Sequence, residues 1–384
     1  MLEEFLQPAE QELFSPQNFS TYTLGSSIER STHPEGMNVA IVGVNEDRGS
    51  IKNIGCAEAP DVIRKQLFSL SQFNTNTKII DLGNIQKGET IRDTYVALSK
   101  VVNELIKMKI LPVIIGGSHD LTCGQFSGYE GLNRMINVSV IDNTIDLQRE
   151  GEVAAIDDER FLLDILSYEP SLIFNYHQIG YQAHLASNQA IELLNKLQFE
   201  TYRLGLMRAE IIEIEPVLRG TNLLSFDMSA IRFSDAPANA NATPNGIFAE
   251  EACQLSRYAG QSDLLDSFGI YGCNPSLDRR NQTSQLAASI IWYFIDGFNS
   301  RKNDYPSEDD TDYTKYTIHF KENKYEMNFW KSKKSDRWWM EVPTGTKASN
   351  HKKHHLLPCS YKDYQMACQE ELPERWIKAF HKLS

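Results

Sequence analysis

Three apolar stretches of this sequence each end in side chains that can bind a metal ion. Residues 111–115, 138–141 and 223–226 are rich in Val, Ile, Leu and Phe, and polar residues follow each of them directly. The potential ligands are one histidine and three aspartates, His119, Asp142, Asp146 and Asp227. An imidazole among carboxylates suits a hard divalent cation such as Mn²⁺. If these segments meet in space, the sequence predicts an oxygen-rich metal site.

Parallel strands would bring the segments together. Strands are expected at 38–43, 78–81, 111–115, 138–141, 172–176, 223–226 and 268–271. Helices are expected from Pro60 to 67 and at 91–108, 158–167, 187–197, 247–259 and 282–298. This alternation predicts a mostly parallel sheet with helices on both faces, a three-layer α/β/α fold. Ligands of such sheets bind outside the carboxyl ends of the strands, where these polar residues fall.

The polar segments also carry a recognisable motif pattern. They read Gly-Gly-Ser-His-Asp at 116–120, Asp-Asn-Thr-Ile-Asp at 142–146 and Ser-Phe-Asp-Met-Ser at 225–229. The pattern resembles the ureohydrolase superfamily of arginase, agmatinase and formimidoylglutamase. Further matches at 43–49 and 274–277 extend the resemblance over roughly residues 37–300 in the same order. The resemblance implies the arginase-like version of the α/β/α fold.

The resemblance also implies which ligands are present. The family binds two Mn²⁺ ions, and the ligands of the first ion fall on the histidine and three aspartates named above. The positions peculiar to the second ion hold Thr144 instead of His and Ser229 instead of Asp. The Glu that contacts the guanidinium in arginase-like members falls on Gly272. The expectation is therefore one Mn²⁺ ion at most, or none.

Two explanations remain open for the crowded carboxylates, because uncompensated carboxylates raise one another's pKa. Either a cation binds among the carboxylates, or a basic side chain such as Arg232 lies close enough to supply the compensating positive charge. Thr144 and Ser229 either hydrogen-bond a carboxylate or a water, or merely fill space. The favoured interpretation is a weakly active or inactive homologue with a binding or scaffold role. The alternative is an active, formimidoylglutamase-like hydrolase of a linear amidine C–N bond.

Other reactive residues have simpler interpretations beside the catalytic ones. His177 and His184 flank a strand end, so either is a candidate replacement ligand or acid/base, or a capping or surface group. Cys123 follows His119 and is a candidate nucleophile, although a buried thiol is the commoner role of free Cys.

Charge, hydropathy and cysteine spacing argue against some classes of function. The net charge is −13: residues 301–384 hold 16 basic and 13 acidic residues, while the first 300 hold 22 and 38. An acidic main domain argues against a nucleic-acid partner. No apolar run approaches the roughly 18 residues that a membrane span needs, and the N-terminus lacks signal-peptide features. Six cysteines without CxxC spacing indicate reduced thiols and a cytoplasmic protein.

The chain divides into four parts by pattern. These are an N-terminal arm (1–36), the ureohydrolase-like domain (37–300), an acidic linker (301–314) and an α+β appendage (315–384). In the appendage, strands are expected at 316–320, 325–330 and 337–342, followed by one helix from about Ser360. A Lys/His-rich segment lies at 351–355, and its candidate roles are a solvated loop or an anion or metal site.

The appendage is the candidate surface for a partner. Four tryptophans lie in it: Trp330, Trp338, Trp339 and Trp376. Trp338 and Trp339 must face opposite sides of a strand. The appendage is expected to pack on the acidic main domain or to bind a partner protein, and the family resemblance makes a homo-oligomer an expectation.

Overall fold

The computed structural model describes residues 2–9, 15–147, 156–306, 311–320, 325–343 and 355–383. Residues 351–354 of the Lys/His-rich segment (351–355) therefore lie outside the described residues. The described residues form two β-sheets, one of ten strands and one of four. No helix within these ranges is both long and apolar enough to cross a membrane.

The ten-stranded sheet forms the centre of the main domain. Its strands are β1 (Leu6–Gln7), β2 (Glu29–Arg30), β3 (Val39–Val44), β4 (Ile79–Ile85), β5 (Leu111–Ile115), β6 (Ile136–Ile141), β7 (Ile173–Tyr181), β8 (Glu200–Arg203), β9 (Leu223–Asp227) and β10 (Ser267–Tyr271). Their order is β1-β4-β3-β5-β10-β9-β6-β7-β8, with β2 also paired to β4. Among the described strands of this sheet, only β1 pairs antiparallel to its neighbour. Thus the N-terminal arm contributes β1 and β2 to the sheet edge.

Helices cover both faces of this sheet. They are α1 (Leu24–Ser27), α2 (Ala59–Phe68), α3 (Ile91–Lys107), α4 (Thr122–Ser127), α5 (Phe161–Leu166), α6 (Asn188–Lys196), α7 (Leu204–Ala209), α8 (Glu215–Arg219), α9 (Ala249–Gly260) and α10 (Gln282–Asn299). Along β5, Val113 and Ile115 pack with α2, α9 and α10, whereas Ile114 packs with α3. This alternation follows from the two-residue period of a strand. The three-layer α/β/α prediction is confirmed.

The appendage is an antiparallel sheet with two helices. Its strands are β11 (Tyr313–Phe320), β12 (Tyr325–Ser332), β13 (Trp338–Glu341) and β14 (Leu356–Cys359), and its helices are α11 (Tyr361–Cys368) and α12 (Glu374–Leu383). The expectation of three strands and one helix was wrong. Pro373 precedes α12, and a proline inside a continuous helix would remove a hydrogen bond and clash with the preceding turn.

The appendage packs against the main domain around one buried arginine. Arg219 of α8 donates hydrogen bonds to the backbone carbonyl oxygens of Trp338 and Cys359, each at 3.0 Å. Its guanidinium lies 4.5 Å from the ring centroid of Trp339. Trp338 packs on the opposite side, in the core of the appendage. The two tryptophans therefore face opposite sides, and the main domain covers Trp339.

Candidate metal centre

Neighbouring strands bring the four predicted ligands to one edge of the sheet. His119 follows β5, Asp142 and Asp146 follow β6, and Asp227 ends β9. In the sheet, β10 lies between β5 and β9, and β6 lies beside β9. Because these strands run parallel, their carboxyl ends meet at the same edge.

The four side chains converge on the imidazole of His119. Its Nδ1 lies 3.3 Å from Oδ2 of Asp142, 3.3 Å from Oδ2 of Asp146 and 3.5 Å from Oδ2 of Asp227. All four residues are buried. The convergence expected from the sequence is therefore present in the structure.

Hydrogen bonds behind His119 hold its ring in place. Nε2 lies 2.9 Å from Oγ of Ser225, which in turn lies 2.7 Å from Oγ1 of Thr122. The ring centroid of Phe161 lies 4.6 Å from that of the imidazole. A partner on one ring nitrogen sets the orientation of the other, an arrangement common behind metal-binding histidines. Nδ1 is thereby directed at the three carboxylates.

The second oxygens of two carboxylates are held by Ser229 and its neighbours. Oδ1 of Asp142 accepts hydrogen bonds from Oγ of Ser229 at 2.7 Å and from the backbone N of Asn143 at 2.5 Å. Oδ1 of Asp227 accepts from the backbone N of Ser229 at 2.6 Å and from Nδ2 of Asn239 at 3.2 Å. In both residues, Oδ2 faces His119 while Oδ1 is bound by donors of this chain.

The electrostatics of the cluster favour an added positive charge. Burial and the nearby carboxylate of Asp142 raise the pKa of Asp146 well above its ordinary value. Burial likewise raises the pKa of Asp227 to about 6. Burial by itself would lower the pKa of His119, but hydrogen bonds to Asp142 and Asp146 outweigh it and raise that pKa well above the ordinary value. Without an ion, protonation of His119 and of the carboxylates whose pKa is raised would reduce the crowded negative charge.

Three of the four residues, His119, Asp142 and Asp146, offer ligand atoms that all lie within 4.8 Å of one another, as a shared divalent cation requires. Asp227 lies outside that group but has Oδ2 3.5 Å from Nδ1 of His119. In octahedral coordination with bonds of about 2.1–2.6 Å, adjacent ligand atoms lie roughly 3.0–3.6 Å apart. The distances of 3.3–3.5 Å from Nδ1 of His119 to the three carboxylate oxygens fall in this range. One imidazole with three carboxylates is also suitable for Mn²⁺ by ligand type.

Thr144 and Ser229 lie beside this cluster. By the family resemblance, they replace the His and Asp that bind a second ion. Ser229 makes the carboxylate hydrogen bond that the sequence offered as one alternative. Oγ1 of Thr144 instead donates to the carbonyl oxygen of Leu185 at 3.4 Å. Gly272 has φ +78°, and a Cβ built there would lie 2.8 Å from both carboxylate oxygens of Asp227. The same Cβ would lie 2.8 Å from Nδ2 of Asn239, so a larger residue at 272 would require Asp227 or Asn239 to shift.

A cavity of about 170 Å³ opens beside the four residues. Lys52 and Glu159 form an ion pair of 2.6 Å on its wall, and Asp158 and Asn241 also line it. No sequence motif pointed to Lys52 or Asp158. The acidic run at 157–159 was visible, but only the packing of residues 50–52 against it places both at the cavity.

The structure excludes the other candidates from the metal centre. Arg232 forms an ion pair with Asp235 at 2.8 Å and lies over the ring of Phe248, so the expectation that it could compensate the carboxylates was wrong. Nδ1 of His177 lies 2.9 Å from Oγ of Ser139, within the sheet.

Neither His184 nor Cys123 lines the cavity. His184 is exposed. Cys123 is a buried core thiol whose pKa burial raises well above its ordinary value, so it is unsuited to act as a nucleophile.

Comparison with known proteins agrees with this fold. The sequence profile of the arginase family matches residues 37–296. Among curated proteins, a formimidoylglutamase from Streptococcus gordonii is 24% identical over 282 residues, which cover 67% of this chain and 84% of that protein. A formimidoylglutamase from Streptococcus pyogenes is 25% identical over 280 residues, covering 68% and 85%.

Comparison with solved structures also finds formimidoylglutamases. A Trypanosoma cruzi formiminoglutamase with Mn²⁺ has a TM-score of 0.67 at 18% identity, covering 73% of this chain and 99% of that one. A Bacillus subtilis formimidoylglutamase has a TM-score of 0.66 at 20% identity, covering 73% and 92%. The fold is thus that of the ureohydrolases. By the extent of the profile match, the chain belongs to the arginase family.

Proposed function

We propose that this chain binds a single divalent cation, Mn²⁺ by ligand type, and acts in binding rather than in rapid C–N hydrolysis. The ligands are the four residues around Nδ1 of His119. The observation that carries the proposal is the hydrogen bond from Ser229 Oγ to Asp142 Oδ1. A hydroxyl donor occupies the carboxylate oxygen that a second cation would otherwise share.

The surroundings of Ser229 support the loss of the second ion. The backbone N of Ser229 and the amide of Asn239 bind Oδ1 of Asp227, so both carboxylates have their outer oxygens occupied. Thr144 offers only a neutral hydroxyl and directs it to a backbone carbonyl. Hard divalent cations in proteins are bound chiefly by carboxylate and carbonyl oxygens and water. These two residues are therefore poor replacements for His and Asp.

A single bound Mn²⁺ would supply an activated water by lowering its pKa. The chain's own residues then limit the reaction. Gly272 offers no carboxylate to a guanidinium, and a Cβ at this position would lie 2.8 Å from both carboxylate oxygens of Asp227. The Lys52–Glu159 ion pair occupies part of the cavity wall.

The second candidate is a hydrolase of a linear amidine C–N bond that uses one ion. The cavity beside the four ligands favours it, because Asn143, Asn241 and Thr243 supply amide and hydroxyl groups there. The formimidoylglutamases among the relatives also make a formimino compound the first substrate to test.

Turnover of formiminoglutamate, arginine and agmatine by Mn²⁺-loaded protein separates the two candidates. We expect rates below about 0.1 s⁻¹, a hundredfold under the typical enzyme value of roughly 10 s⁻¹. The comparison variant is Thr144→His/Ser229→Asp, which restores both second-ion ligand types and should gain Mn²⁺. Formiminoglutamate hydrolysis near 10 s⁻¹ by the wild type would establish the second candidate instead.

A further inference from the structure

A large groove runs along the junction between the main domain and the appendage, away from the metal centre. Its volume is about 930 Å³, and both parts of the chain line it. Ligand sites of roughly 300–1,000 Å³ occur preferentially at such domain junctions. The groove is therefore large enough for several residues of a bound segment.

The groove has the opposite charge to the rest of the protein. Six Lys or Arg side chains line it against three Asp or Glu, whereas the whole chain has a net charge of −13. Lys302 is exposed and has no ion pair within the described part of the chain. Lys334 pairs with Asp312 and Lys362 with Glu210, but these four side chains are 43–55% exposed. Exposed ion pairs contribute little to stability, so a carboxylate of an incoming segment can replace Asp312 or Glu210 as the partner of the lysine.

Aromatic side chains line the groove beside these basic residues. Tyr361 is 54% exposed, and its ring lies 5.8 Å from Tyr364 and 5.7 Å from Trp338 between centroids. Trp338 and Tyr361 both line the groove. A rigid, partly exposed aromatic side chain next to basic residues is typical of interaction hot spots.

We propose that this groove binds an acidic segment of a partner protein, with an aromatic or apolar residue of that segment packed on Tyr361. The proposal rests on the binding role proposed above and gives that role a surface and a partner chemistry. It does not depend on whether the metal centre is occupied.

The arrangement of cations favours a peptide over a nucleotide. Phosphate recognition needs donors that converge on one point. Arg219 and Arg337 are the arginines that converge here, but both point at Oε1 of Glu215, at 3.1 and 3.3 Å. Arg257 pairs with Asp296 at 2.7 Å, and Lys302, Lys334 and Lys362 lie on different elements along the groove. An extended segment can bind them one carboxylate at a time.

The test is selection of phage-displayed random 12-residue peptides on the full-length protein. We expect the enriched sequences to be rich in Asp and Glu and to contain an aromatic residue. A synthetic, fluorescently labelled copy should bind roughly tenfold more weakly to Lys302→Glu/Lys362→Glu and more weakly at high salt, by anisotropy. Tyr361→Ala should also weaken binding. The matched control is Lys100→Glu/Lys196→Glu, which reverses exposed lysines of α3 and α6 and should bind like the wild type.

Hydrogen exchange with the labelled peptide gives a readout on the unaltered protein, and residues 359–365 should be protected. Several results would overturn the proposal: no enriched peptide, enrichment without acidic residues, or equal affinity for the groove variant and the control. Groove-dependent binding of a labelled ATP analogue without peptide binding would also overturn it. Mn²⁺ content does not enter this test, so its failure is distinct from failure of the proposed metal centre.

Discussion

At the scale of single residues, one hydroxyl group is central to the candidate metal centre. The motif positions correctly predicted that the side chains of His119 and of the three aspartates lie together in space. They could not predict whether Ser229 would bind a carboxylate or only fill space, because that depends on a side-chain rotamer and a distance across two strands. The structure places its Oγ 2.7 Å from Asp142.

Replacing Ser229 tests this hydrogen bond. In metal-free protein, Ser229→Ala should lower the free energy of unfolding by about 1–3 kcal/mol, because a buried carboxylate oxygen loses a donor. Chemical denaturation is the measurement. Ser289→Ala is the control, since its hydroxyl bonds only to a carbonyl of its own helix and should matter by less than about 0.5 kcal/mol. Equal stabilities of the two variants would count against the structural role of Ser229.

At the scale of elements, periodic segments were predicted well and short ones were not. The helix expected at 91–108 is α3, Ile91–Lys107, with a capping box formed by Thr90 and Asp93. β14 was missed because Pro358 argues against a strand. The strand forms because it lies at the edge of the appendage sheet, where a missing N–H is tolerated.

The turn after β10 determines the position of the Asp227 carboxylate. We expect Gly272→Ala to lower stability by about 1–2 kcal/mol from its left-handed backbone alone, and to weaken Mn²⁺ binding because its Cβ meets Asp227. Calorimetric titration with Mn²⁺ is the measurement. Gly131→Ala is the matched control, because Gly131 has φ +73° with no atom within 4 Å of the added Cβ. It should share the stability loss and keep its Mn²⁺ affinity; unchanged affinity in Gly272→Ala would contradict this account.

At the scale of the whole molecule, opposite charges meet at the junction. Arg337 and Lys362 of the appendage pair with Glu215 and Glu210 of the main domain, as the charge difference between the two parts suggests. The sequence predicted that Trp338 and Trp339 would face apart. The sequence could not reveal that Arg219 packs over Trp339, because Arg219 lies 120 residues earlier and belongs to no recognisable motif.

Loss of Arg219 should release the appendage. Arg219→Ala leaves Glu215 and two backbone carbonyl groups without this partner, and we expect a loss of about 3 kcal/mol in stability. Limited proteolysis should then cleave near Pro306 faster than in the wild type. The exposed Arg92→Ala on α3 is the control. Equal cleavage rates in both variants would show that Arg219 does not hold the junction.

Acid should weaken the same junction through Glu200, which lies beside Arg375 of α12. Burial would raise the pKa of the Glu200 carboxyl, but the hydrogen bond and charge of His177 and the charge of Arg375 hold that pKa well below its ordinary 4.5. Such a carboxyl stabilises the fold above its unfolded-state pKa, and this stability is lost as the pH falls through the folded-state pKa.

Glu200→Gln should therefore be less stable than the wild type at pH 7, and the difference should shrink as the pH falls below the ordinary 4.5 of this group. Urea denaturation of both proteins between neutral and acidic pH measures it. A difference that stays constant over this range would contradict the assigned charge of Glu200.

The central claim is that this member of the arginase family binds one metal ion where the family resemblance implies two. The direct measurement is the metal content of wild-type protein saturated with Mn²⁺ and freed of excess ion, by inductively coupled plasma mass spectrometry. One imidazole and three carboxylates, with both second-ion positions held by neutral hydroxyls, predict about one Mn²⁺ per chain. About two per chain in the wild type, with ions roughly 3.5–4 Å apart, would contradict the account.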